Sequence, residues 1–177
     1  ATRRMLIDDF GVADAKITVA EPGTDPAPRA TGTGTPIQLL SVGAVSPRKG
    51  YDILVAALAK LKGSDWRLTI AGALDRDEQA VKALKANIDA AGLGDQITLA
   101  GTVVPATLSR FYESADLFVM PSLHEGYGMV LAEAMAHGLA IVCTTGGAAG
   151  ETVPDAAAIK VPPGDVDALA RAIATVL

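Results

Sequence analysis

The sequence predicts a doubly wound α/β fold with a mostly parallel sheet of six strands. Three observations predict it. Strand-like runs alternate with helix-like segments from Ile37 onward, the strand-like runs are continuously apolar, and glycine follows several of the helical segments. A continuously apolar strand leaves no face for water, so helices are expected on both faces of the sheet.

Each strand-like run is followed by a helix-like segment, which is the repeating unit of a parallel sheet. The strand-like runs cover residues 37–43, 66–72, 97–101, 116–122, 140–145 and 157–162. The helical segments cover residues 51–63, 77–92, 105–114, 128–138, 146–153 and 165–177. Gly63, Gly92 and Gly138 stand where C-terminal caps are expected, and Pro105 falls near the first turn of its helix.

The first 36 residues do not continue this pattern. Residues 2–10 favour a short helix and residues 15–19 a short strand, but about twenty residues cannot form a core of their own. Residues 21–36 are dominated by Pro, Gly and Thr without any periodicity, and they therefore predict a linker.

The composition predicts a globular protein with one substantial core. The chain has 177 residues, 50% of them hydrophobic, and no apolar run approaches the roughly 20 residues of a membrane span. No signal peptide is recognisable, and a single cysteine, Cys143, excludes an internal disulfide, so a cytoplasmic location is predicted. A net charge of -5 without a Lys/Arg cluster argues against nucleic acid as the main partner.

Two loops are expected to form a ligand site. In a doubly wound sheet of order 3-2-1-4-5-6, ligands bind beyond the carboxyl ends of the strands, where the order reverses between the first and fourth strands. The loops after those strands are residues 43–50 and 121–128, so Arg48 and Lys49 should lie opposite Glu125. The first loop lacks the G-x-G-x-x-G pattern, which argues against a nicotinamide or flavin dehydrogenase.

The segment HEGYGMVLAE, residues 124–133, is the most informative part of the chain. An apolar run precedes it and strong helix formers follow, which predicts a strand, a turn and a helix. Free amides and the positive end of the dipole at a helix start attract anions, and Gly126 and Gly128 keep the backbone accessible. A phosphate group is the predicted occupant.

From about Ile17 to Leu177, the chain resembles the C-terminal domain of retaining glycosyltransferases of the GT-B type, the large family 4 group. The resemblance includes SPRKGYDILVAAL, ITLAGTV, TTGGAAGETV and VPPGDVDALARAI, together with the Glu-x7-Glu spacing from Glu125 to Glu133. That spacing alone is common by chance, but within EGYGMVLAEAMA it is specific. The resemblance implies a Rossmann-like sheet that forms one half of a GT-B fold.

The resemblance also implies a domain organisation. Residues 1–20 would be a remnant of the N-terminal acceptor domain, residues 21–36 the interdomain linker, and residues 37–177 the domain that binds a nucleotide-sugar donor. The implied partner is a missing N-terminal Rossmann-like domain, through which the protein could contact the inner face of a membrane. The isolated chain is then expected to bind donor without transferring sugar.

Similarity to the family implies roles for individual residues. Lys49 would face the diphosphate and Glu125 the hydroxyls of the donor sugar, and both are the implied catalytic residues. Glu133 would accept hydrogen bonds from the ribose hydroxyls. The other implied donor-binding residues are Gly43 and Arg48 in the first loop, Leu74, Thr102 and Val103 near the base, and Gly126, Tyr127, Gly128, Met129 and Val130 at the helix start.

No cofactor or metal is expected. Asp75-Arg76-Asp77 matches the D-x-D pattern that binds a metal-diphosphate complex in another glycosyltransferase architecture, but here it precedes a helix, where aspartates cap free amides. No cluster of His, Cys and carboxylate residues suggests another metal site. His137 is expected to be structural, whereas His124 borders the site and could bond the donor.

Two alternatives to a transferase stay open. A nucleotide-sugar epimerase could use the same architecture, although its acid and base residues are not recognisable. The other alternative is a degenerate nucleotide-binding module, because the family usually carries an arginine where this chain has Ala44. Arg48 could supply the positive charge of that arginine. Gly146 and Gly147, with Glu151 after them, either contact the sugar or form a structural turn. The sequence leaves the sugar, the base and the acceptor undetermined.

Overall fold

A computed structural model describes residues 2–177 of the chain; Ala1, the first residue of the predicted 1–20 segment, lies outside the described residues. The structure contains a six-stranded parallel sheet in the order β3-β2-β1-β4-β5-β6, as predicted. Its strands are β1 Ile37–Val42, β2 Trp66–Ala71, β3 Ile97–Gly101, β4 Leu117–Met120, β5 Ala140–Thr144 and β6 Ala158–Val161.

A helix follows each strand, which confirms the predicted strand-helix units. The helices are α1 Thr2–Asp8, before the sheet, and then α2 Tyr51–Ala59, α3 Glu78–Ala90, α4 Pro105–Ser114, α5 Met129–Ala136, α6 Ala149–Thr152 and α7 Val166–Ala174. Gly92 and Gly138 adopt positive φ directly after the C-caps of α3 and α5, as expected. Gly63 does not cap α2, because that helix ends at Ala59 and Gly63 lies in the turn that leads to β2.

The sheet is covered on both faces because its strands are apolar on both faces. One core cluster joins residues such as Leu39 and Val119 to helices α2, α3 and α7. The other joins Leu40, Phe118 and Cys143 to helices α4, α5 and α6. Neighbouring residues of one strand point to opposite faces, so β1 and β4 contribute to both clusters. The continuous apolar runs of the sequence are therefore explained by packing on both sides.

The N-terminal segment is confirmed as a short helix but not as a strand. Residues 2–8 form α1, whereas residues 15–19, predicted as a strand, contain the end of a 3-10 turn, Asp14–Lys16, and irregular chain. The prediction of a strand is wrong because no neighbouring strand pairs with this segment; β3 and β6 are the edges of the sheet. No residue in the range 2–36 is buried, so this segment adds no core residue.

The carboxyl edge of the sheet brings together the two loops that the topology selects. Strands β1 and β4 are neighbours, with Leu39 opposite Leu117. The amide of Leu123 donates to the carbonyl oxygen of Arg48 at 2.8 Å, so the loops after the two strands contact each other. Gly50 allows this approach, because a Cβ there would lie 2.3 Å from the carbonyl oxygen of Pro121. Within residues 2–177 no helix is long and apolar enough to cross a membrane.

Candidate active site

Glu125 lies at the centre of a cluster of polar contacts. Its Oε1 accepts a hydrogen bond from Lys49 Nζ at 2.6 Å and another from Ser122 Oγ at 2.7 Å. Its Oε2 lies 3.2 Å from Nη1 of Arg48. Glu125 is 7% exposed, and the Lys49 side chain 12%. The structure thus places the basic residues of the first loop against Glu125, as the predicted topology requires.

The surroundings of Glu125 keep it ionised. Burial alone would raise the pKa of the Glu125 carboxyl, but hydrogen bonds from Lys49 and Ser122 and the positive charges of Lys49 and Arg48 outweigh it and hold the pKa below its ordinary value. At neutral pH this side chain is therefore a carboxylate. It can accept hydrogen bonds or stabilise positive charge, but it has no proton to donate.

The loop after β5 supports the backbone around Glu125. The amide of Glu125 donates to the carbonyl oxygen of Gly146 at 3.1 Å, and the amide of Ala148 donates to the carbonyl oxygen of Glu125 at 2.8 Å. A Cβ at Gly146 would lie 2.2 Å from the carbonyl oxygen of Leu123, and one at Gly147 would lie 2.3 Å from that of Glu125. The two glycines therefore have a structural role, which is to let the loops after β4 and β5 touch.

Gly43, directly after β1, contacts two side chains of the first loop and of α2. Its carbonyl oxygen accepts a hydrogen bond from the buried hydroxyl of Tyr51 at 3.0 Å. The end of the Lys49 side chain passes directly over it, because a Cβ at Gly43 would lie 2.9 Å from Cε and 3.1 Å from Nζ of Lys49. The lack of a side chain at Gly43 thus allows Lys49 to reach Glu125.

The start of α5 is open to an anion. Gly128 precedes the helix in a left-handed conformation, with φ 89°, and has no side chain to cap it. Among residues 2–177, no protein group accepts a hydrogen bond from the amides of Met129 or Val130. These amides carry the positive end of the helix dipole. The predicted phosphate site is therefore not filled by the protein's own side chains.

Glu133 lies one turn further along α5 in different surroundings. Its Oε2 accepts a hydrogen bond from the hydroxyl of Tyr112 at 2.8 Å, and the side chain is half-buried. It lines a cavity of about 340 Å³ between α4, α5 and the extended chain before the sheet. The other walls include Pro105, Leu108 and Met129, which are apolar. The cavity therefore combines apolar walls with a few polar groups, a lining typical of small-molecule sites.

The residues predicted near the base do not line this cavity. Leu74 packs beside the end of β3, since a Cβ at Gly101 would lie 3.8 Å from its Cδ1. Thr102 and Val103 lie in the short loop between β3 and α4, just before Pro105. They are thus placed at the same edge of the sheet, and the wall of the cavity is formed instead by the first turns of α4.

Gly126 and Tyr127 form part of a second cavity, of about 580 Å³. Its other walls come from α1, from residues 17–22 and from α6, including Glu151. The carbonyl oxygen of Tyr127 accepts a hydrogen bond from the hydroxyl of Thr152. The turn after Glu125 therefore contributes to this second cavity.

Asp77 and His137 have structural contacts, whereas the side chain of His124 is exposed beside the site. Asp77 caps α3, with its Oδ1 accepting a hydrogen bond from the amide of Ala80 at 2.9 Å, as predicted. His137 is buried at the end of α5, and its Nδ1 donates to the carbonyl oxygen of Pro28 at 2.8 Å. His124 is exposed, and its carbonyl oxygen accepts from Arg48 at 2.6 Å. The described part of the chain contains no group of three or more His, Cys, Asp or Glu side chains that could hold a metal.

Sequence reasoning missed three residues that support the site. Ser122 is fully buried and bonds Glu125, and its place three residues before Glu125, directly after the strand, was a usable local signal. Tyr51 and Tyr112 carry no such signal. Tyr112 precedes Glu133 by 21 residues, on another helix, so only the packing of α4 beside α5 reveals their contact.

Comparison with known proteins identifies the family to which this site belongs. A family model described as "Glycosyl transferases group 1" matches residues 26–177. The chain belongs to this family. The match includes both loops of the Glu125 cluster and the whole of α5. The fold, with its Rossmann-like parallel sheet, is that of one half of a GT-B glycosyltransferase.

Individual glycosyltransferases resemble the chain over part of their length. It is 32% identical over 161 residues to mannosylfructose-phosphate synthase of Agrobacterium fabrum, an alignment that covers 81% of this chain and 36% of that protein. The glycosyltransferase of Rickettsia africae superposes with a TM-score of 0.91 at 23% identity, covering 99% of this chain and 50% of that one, which shows the shared fold. Anabaena HepE in complex with UDP-glucose superposes with a TM-score of 0.73 at 28% identity, covering 78% and 38%.

The chain spans less than half the length of the curated relatives that it matches. The covered share is 36% for mannosylfructose-phosphate synthase and 38% for the D-inositol 3-phosphate glycosyltransferase of Kineococcus radiotolerans. Family and fold therefore apply to this chain, whereas those enzymes' substrates belong to longer proteins.

Proposed function

We propose that the chain binds the nucleoside-diphosphate sugar donor of a glycosyltransferase that transfers a hexosyl group with retention of anomeric configuration. The observation that carries this proposal is the open start of α5, flanked by the Lys49-Glu125 pair on one side and by Glu133 on the other. A group of anion-binding amides lies between two carboxylates. The diphosphate of a sugar donor lies likewise between a sugar and a ribose.

The proposed donor lies along the first turns of α5. Its sugar contacts Glu125, its phosphates contact the amides of Met129 and Val130, and its ribose contacts Glu133. The span from Met129 to Glu133 rises about 6 Å along the helix at 1.5 Å per residue, so phosphate and ribose can occupy successive turns. The complex of HepE with UDP-glucose supports this class of ligand, because HepE shares the fold and 28% of the aligned sequence.

Charge in the first loop suits a leaving diphosphate. Lys49 donates one hydrogen bond to Glu125, and an ammonium group has three donors, so two remain for phosphate oxygens. Arg48 adds a second positive charge at 3.2 Å from the same carboxylate. Preorganised charge and amide dipoles that face a developing anion are usually the largest contribution to catalysis.

Retention fits a front-side displacement at this site. The acceptor hydroxyl would attack the anomeric carbon from the side of the departing phosphate, which takes the hydroxyl proton as the bond to the sugar breaks. Glu125, as a buried carboxylate, would bind sugar hydroxyls and stabilise positive charge on the ring. The acceptor site would be formed with the rest of a longer protein, so the isolated chain is expected to bind donor without transfer.

Calorimetric titration tests donor binding. We expect the chain to bind one of UDP, GDP or ADP and the matching sugar nucleotide, and Lys49→Ala to weaken binding of the diphosphate by roughly tenfold or more. Lys85→Ala is the matched control, because Lys85 is exposed on α3 and distant in the fold from the first loop. A dissociation constant that is the same in both variants would disprove the phosphate role of Lys49.

The reaction is tested in full-length protein. The anomeric configuration of the product, read by NMR, should match that of the donor sugar if transfer is retaining. Release of an epimerised sugar nucleotide without an acceptor would instead favour an epimerase. Donor binding with no transfer to a panel of acceptors would favour a nucleotide-binding module. Transfer by the isolated chain above a heat-inactivated sample would contradict the need for further sequence.

A further inference from the structure

Tyr112 is a buried residue that the proposed donor site does not yet explain. It lies on α4, is 2% exposed, and donates its hydroxyl hydrogen to Glu133 Oε2 at 2.8 Å. An apolar side chain would be enough to fill the core at this position of the amphipathic helix α4. Phe111, the neighbouring residue, packs against the core without a hydroxyl. Packing alone therefore does not explain why this buried residue is a tyrosine whose hydroxyl donates to a carboxylate.

The ring of Tyr112 is held firmly in place. It stacks on His137 with 4.9 Å between the ring centroids and 8° between the planes, and on Phe118 at 5.8 Å and 26°. His137 is itself fixed by its hydrogen bond to the carbonyl oxygen of Pro28. The hydroxyl of Tyr112 is thus a donor with a fixed position, which can impose one conformation on the side chain that accepts from it.

The hydroxyl also keeps its proton. Burial of the ring and the negative charge of Glu133 both raise the pKa of Tyr112 far above its ordinary value. A tyrosine in this state donates a hydrogen bond throughout the pH range in which proteins fold. The contact with Glu133 is charge-assisted, and such hydrogen bonds are about twice as strong as neutral ones.

We propose that Tyr112 is a positioning residue: it fixes the Glu133 carboxylate so that the second oxygen, Oε1, is presented to the ribose hydroxyls of the donor. The proposal rests on the proposed function, in which Glu133 contacts the ribose. A free glutamate side chain on a helix samples several rotamers, and ordering it on ligand binding costs free energy. Because one oxygen is already held, that cost is paid during folding and the site is preorganised.

The cavity beside Glu133 agrees with this role. Both Tyr112 and Glu133 line it, together with Ser109 and the apolar side chains of Leu108 and Met129. Glu133 is the carboxylate of α5 on this wall. Among the residues that line this cavity, the other carboxylate is Asp25, which lies on the exposed chain before the sheet. Recognition of ribose hydroxyls is thus assigned to the carboxylate that Tyr112 holds.

The test is the preference for ribose over deoxyribose ligands, which a merely structural role of Tyr112 would not change. Calorimetry compares UDP and GDP with their 2′-deoxy and 3′-deoxy counterparts, using wild type, Glu133→Gln and Tyr112→Phe. We expect wild type to prefer the ribose form by about tenfold or more, and Tyr112→Phe to reduce this preference by roughly threefold to tenfold. Glu133→Gln should reduce it at least as much. In the double variant the effects should not add, because the residues act as a unit.

Tyr51→Phe is the matched control. It also removes a buried tyrosine hydroxyl, but that hydroxyl contacts the carbonyl oxygen of Gly43, at the other end of the site. Any loss of affinity from Tyr51→Phe should therefore be equal for ribose and deoxyribose forms, leaving the ratio unchanged. A Tyr112→Phe variant with the wild-type ratio, while Glu133→Gln loses it, would overturn the positioning role and leave the proposed function intact.

Failure of the proposed function gives a different result: wild type would bind no nucleoside diphosphate, or would bind ribose and deoxyribose forms equally, and the positioning role would fall with it. If Tyr112→Phe does not fold, NMR of wild type decides. The hydroxyl proton of Tyr112 should exchange slowly and shift on addition of the ribose form but much less with the 3′-deoxy form. Equal shifts with both forms would contradict the proposal.

Discussion

The turn before α5 and the helix itself each carry a glutamate, and the two side chains lie in different surroundings. Before the helix, Glu125 is nearly buried, contacts two positive charges and a serine, and is fixed between three loops. On the helix, Glu133 is half-buried, contacts one tyrosine and borders an open cavity. Lys49 and Arg48 balance the negative charge of Glu125, whereas the partner of Glu133 is the hydroxyl of Tyr112, which contacts Oε2.

This difference separates two kinds of contribution to one site. Glu125 joins loops and, in the proposed function, contacts the donor sugar, so a change there should affect stability and chemistry together. Glu133 is half-buried and contacts one tyrosine hydroxyl, so a change there should affect recognition more than stability. The expected effects of substitution therefore fall in size from the Glu125 end to the Glu133 end, and then to positions outside the site.

Glu125→Gln should have the largest effect. It keeps the shape of the side chain but leaves Lys49, whose side chain is 12% exposed, without its ion-pair partner. We expect the free energy of unfolding to fall by about 3 kcal/mol, the low end of the cost of leaving a buried charge unpaired. Sugar transfer by full-length protein should fall by about 100-fold or more, because the carboxylate is lost where positive charge develops. Urea unfolding and a transfer assay measure the two effects.

The stabilising effect of Glu125 should depend on pH. Its pKa is lowered in the folded chain, so the unfolded state binds the proton more readily as the solution becomes acidic. The stability difference between wild type and Glu125→Gln should be full at pH 7, begin to shrink near the ordinary glutamate pKa of about 4.3, and vanish below the lower folded value. A difference that is constant between pH 7 and pH 3 would contradict the ion-pair role.

Arg48 and Lys49 should contribute unequally at this end. Arg48 is 51% exposed and lies 3.2 Å from Glu125, whereas Lys49 is 12% exposed and lies at 2.6 Å. We expect Arg48→Ala to weaken diphosphate binding less than about fivefold, as for an exposed ion pair, and Lys49→Ala to weaken it by roughly tenfold or more. Equal losses in calorimetry would show that Arg48 takes the part of the arginine that Ala44 replaces.

The fold could be predicted from the sequence because local patterns determine it. Continuous apolar runs such as 37–43 and 140–145 became the strands β1 and β5, and the strand order followed from the parallel architecture. The order in turn placed Lys49 opposite Glu125. The wrong strand at 15–19 shows the limit, because an extended segment becomes a strand only when a neighbour pairs with it.

The sequence predicted less about contacts between elements. The placement of Lys49 follows from topology, but its direct hydrogen bond to Glu125 depends on the absence of a side chain at Gly43. Tyr112 and Glu133 meet only because α4 packs beside α5 on one face of the sheet. Such pairs are set by tertiary packing, which no spacing along the chain encodes. The roles of the predicted site residues toward a donor stay predictions.

Gly43→Ala should have an intermediate effect, confined to the Glu125 end. A Cβ there would lie 2.9 Å from Lys49 Cε, and because that atom is the far end of a flexible side chain, Lys49 should move. The backbone of Gly43 has a φ of 154°, so some loss of stability is expected as well. We expect diphosphate affinity to fall by roughly threefold to tenfold. Gly63→Ala is the matched control, because Gly63 also has a positive φ, 101°, and its Cβ would meet no atom within 4 Å.

A double variant makes this prediction sharper. If Gly43→Ala acts by displacing Lys49, it should cause no further loss of affinity in a Lys49→Ala background, because both changes remove the same contact. Additive losses would mean that Gly43 acts through its own backbone, for example through the carbonyl oxygen that Tyr51 holds. Calorimetry on the four variants of the cycle separates these outcomes.

The smallest effect on ligand binding is expected from Asp77→Ala, because Asp77 lies outside the surroundings of both Glu125 and Glu133. Asp77 caps α3, so its removal should cost about 1 kcal/mol of stability without changing diphosphate affinity. Asp165→Ala is the matched control, since Asp165 caps α7 in the same way. Equal stability losses and unchanged calorimetry in both variants would confirm that Asp77 is a cap. A loss of affinity in Asp77→Ala alone would extend the phosphate site to the Asp75-Arg76-Asp77 segment. If Asp77 only caps a helix, its removal should affect diphosphate affinity no more than the removal of Asp165 does.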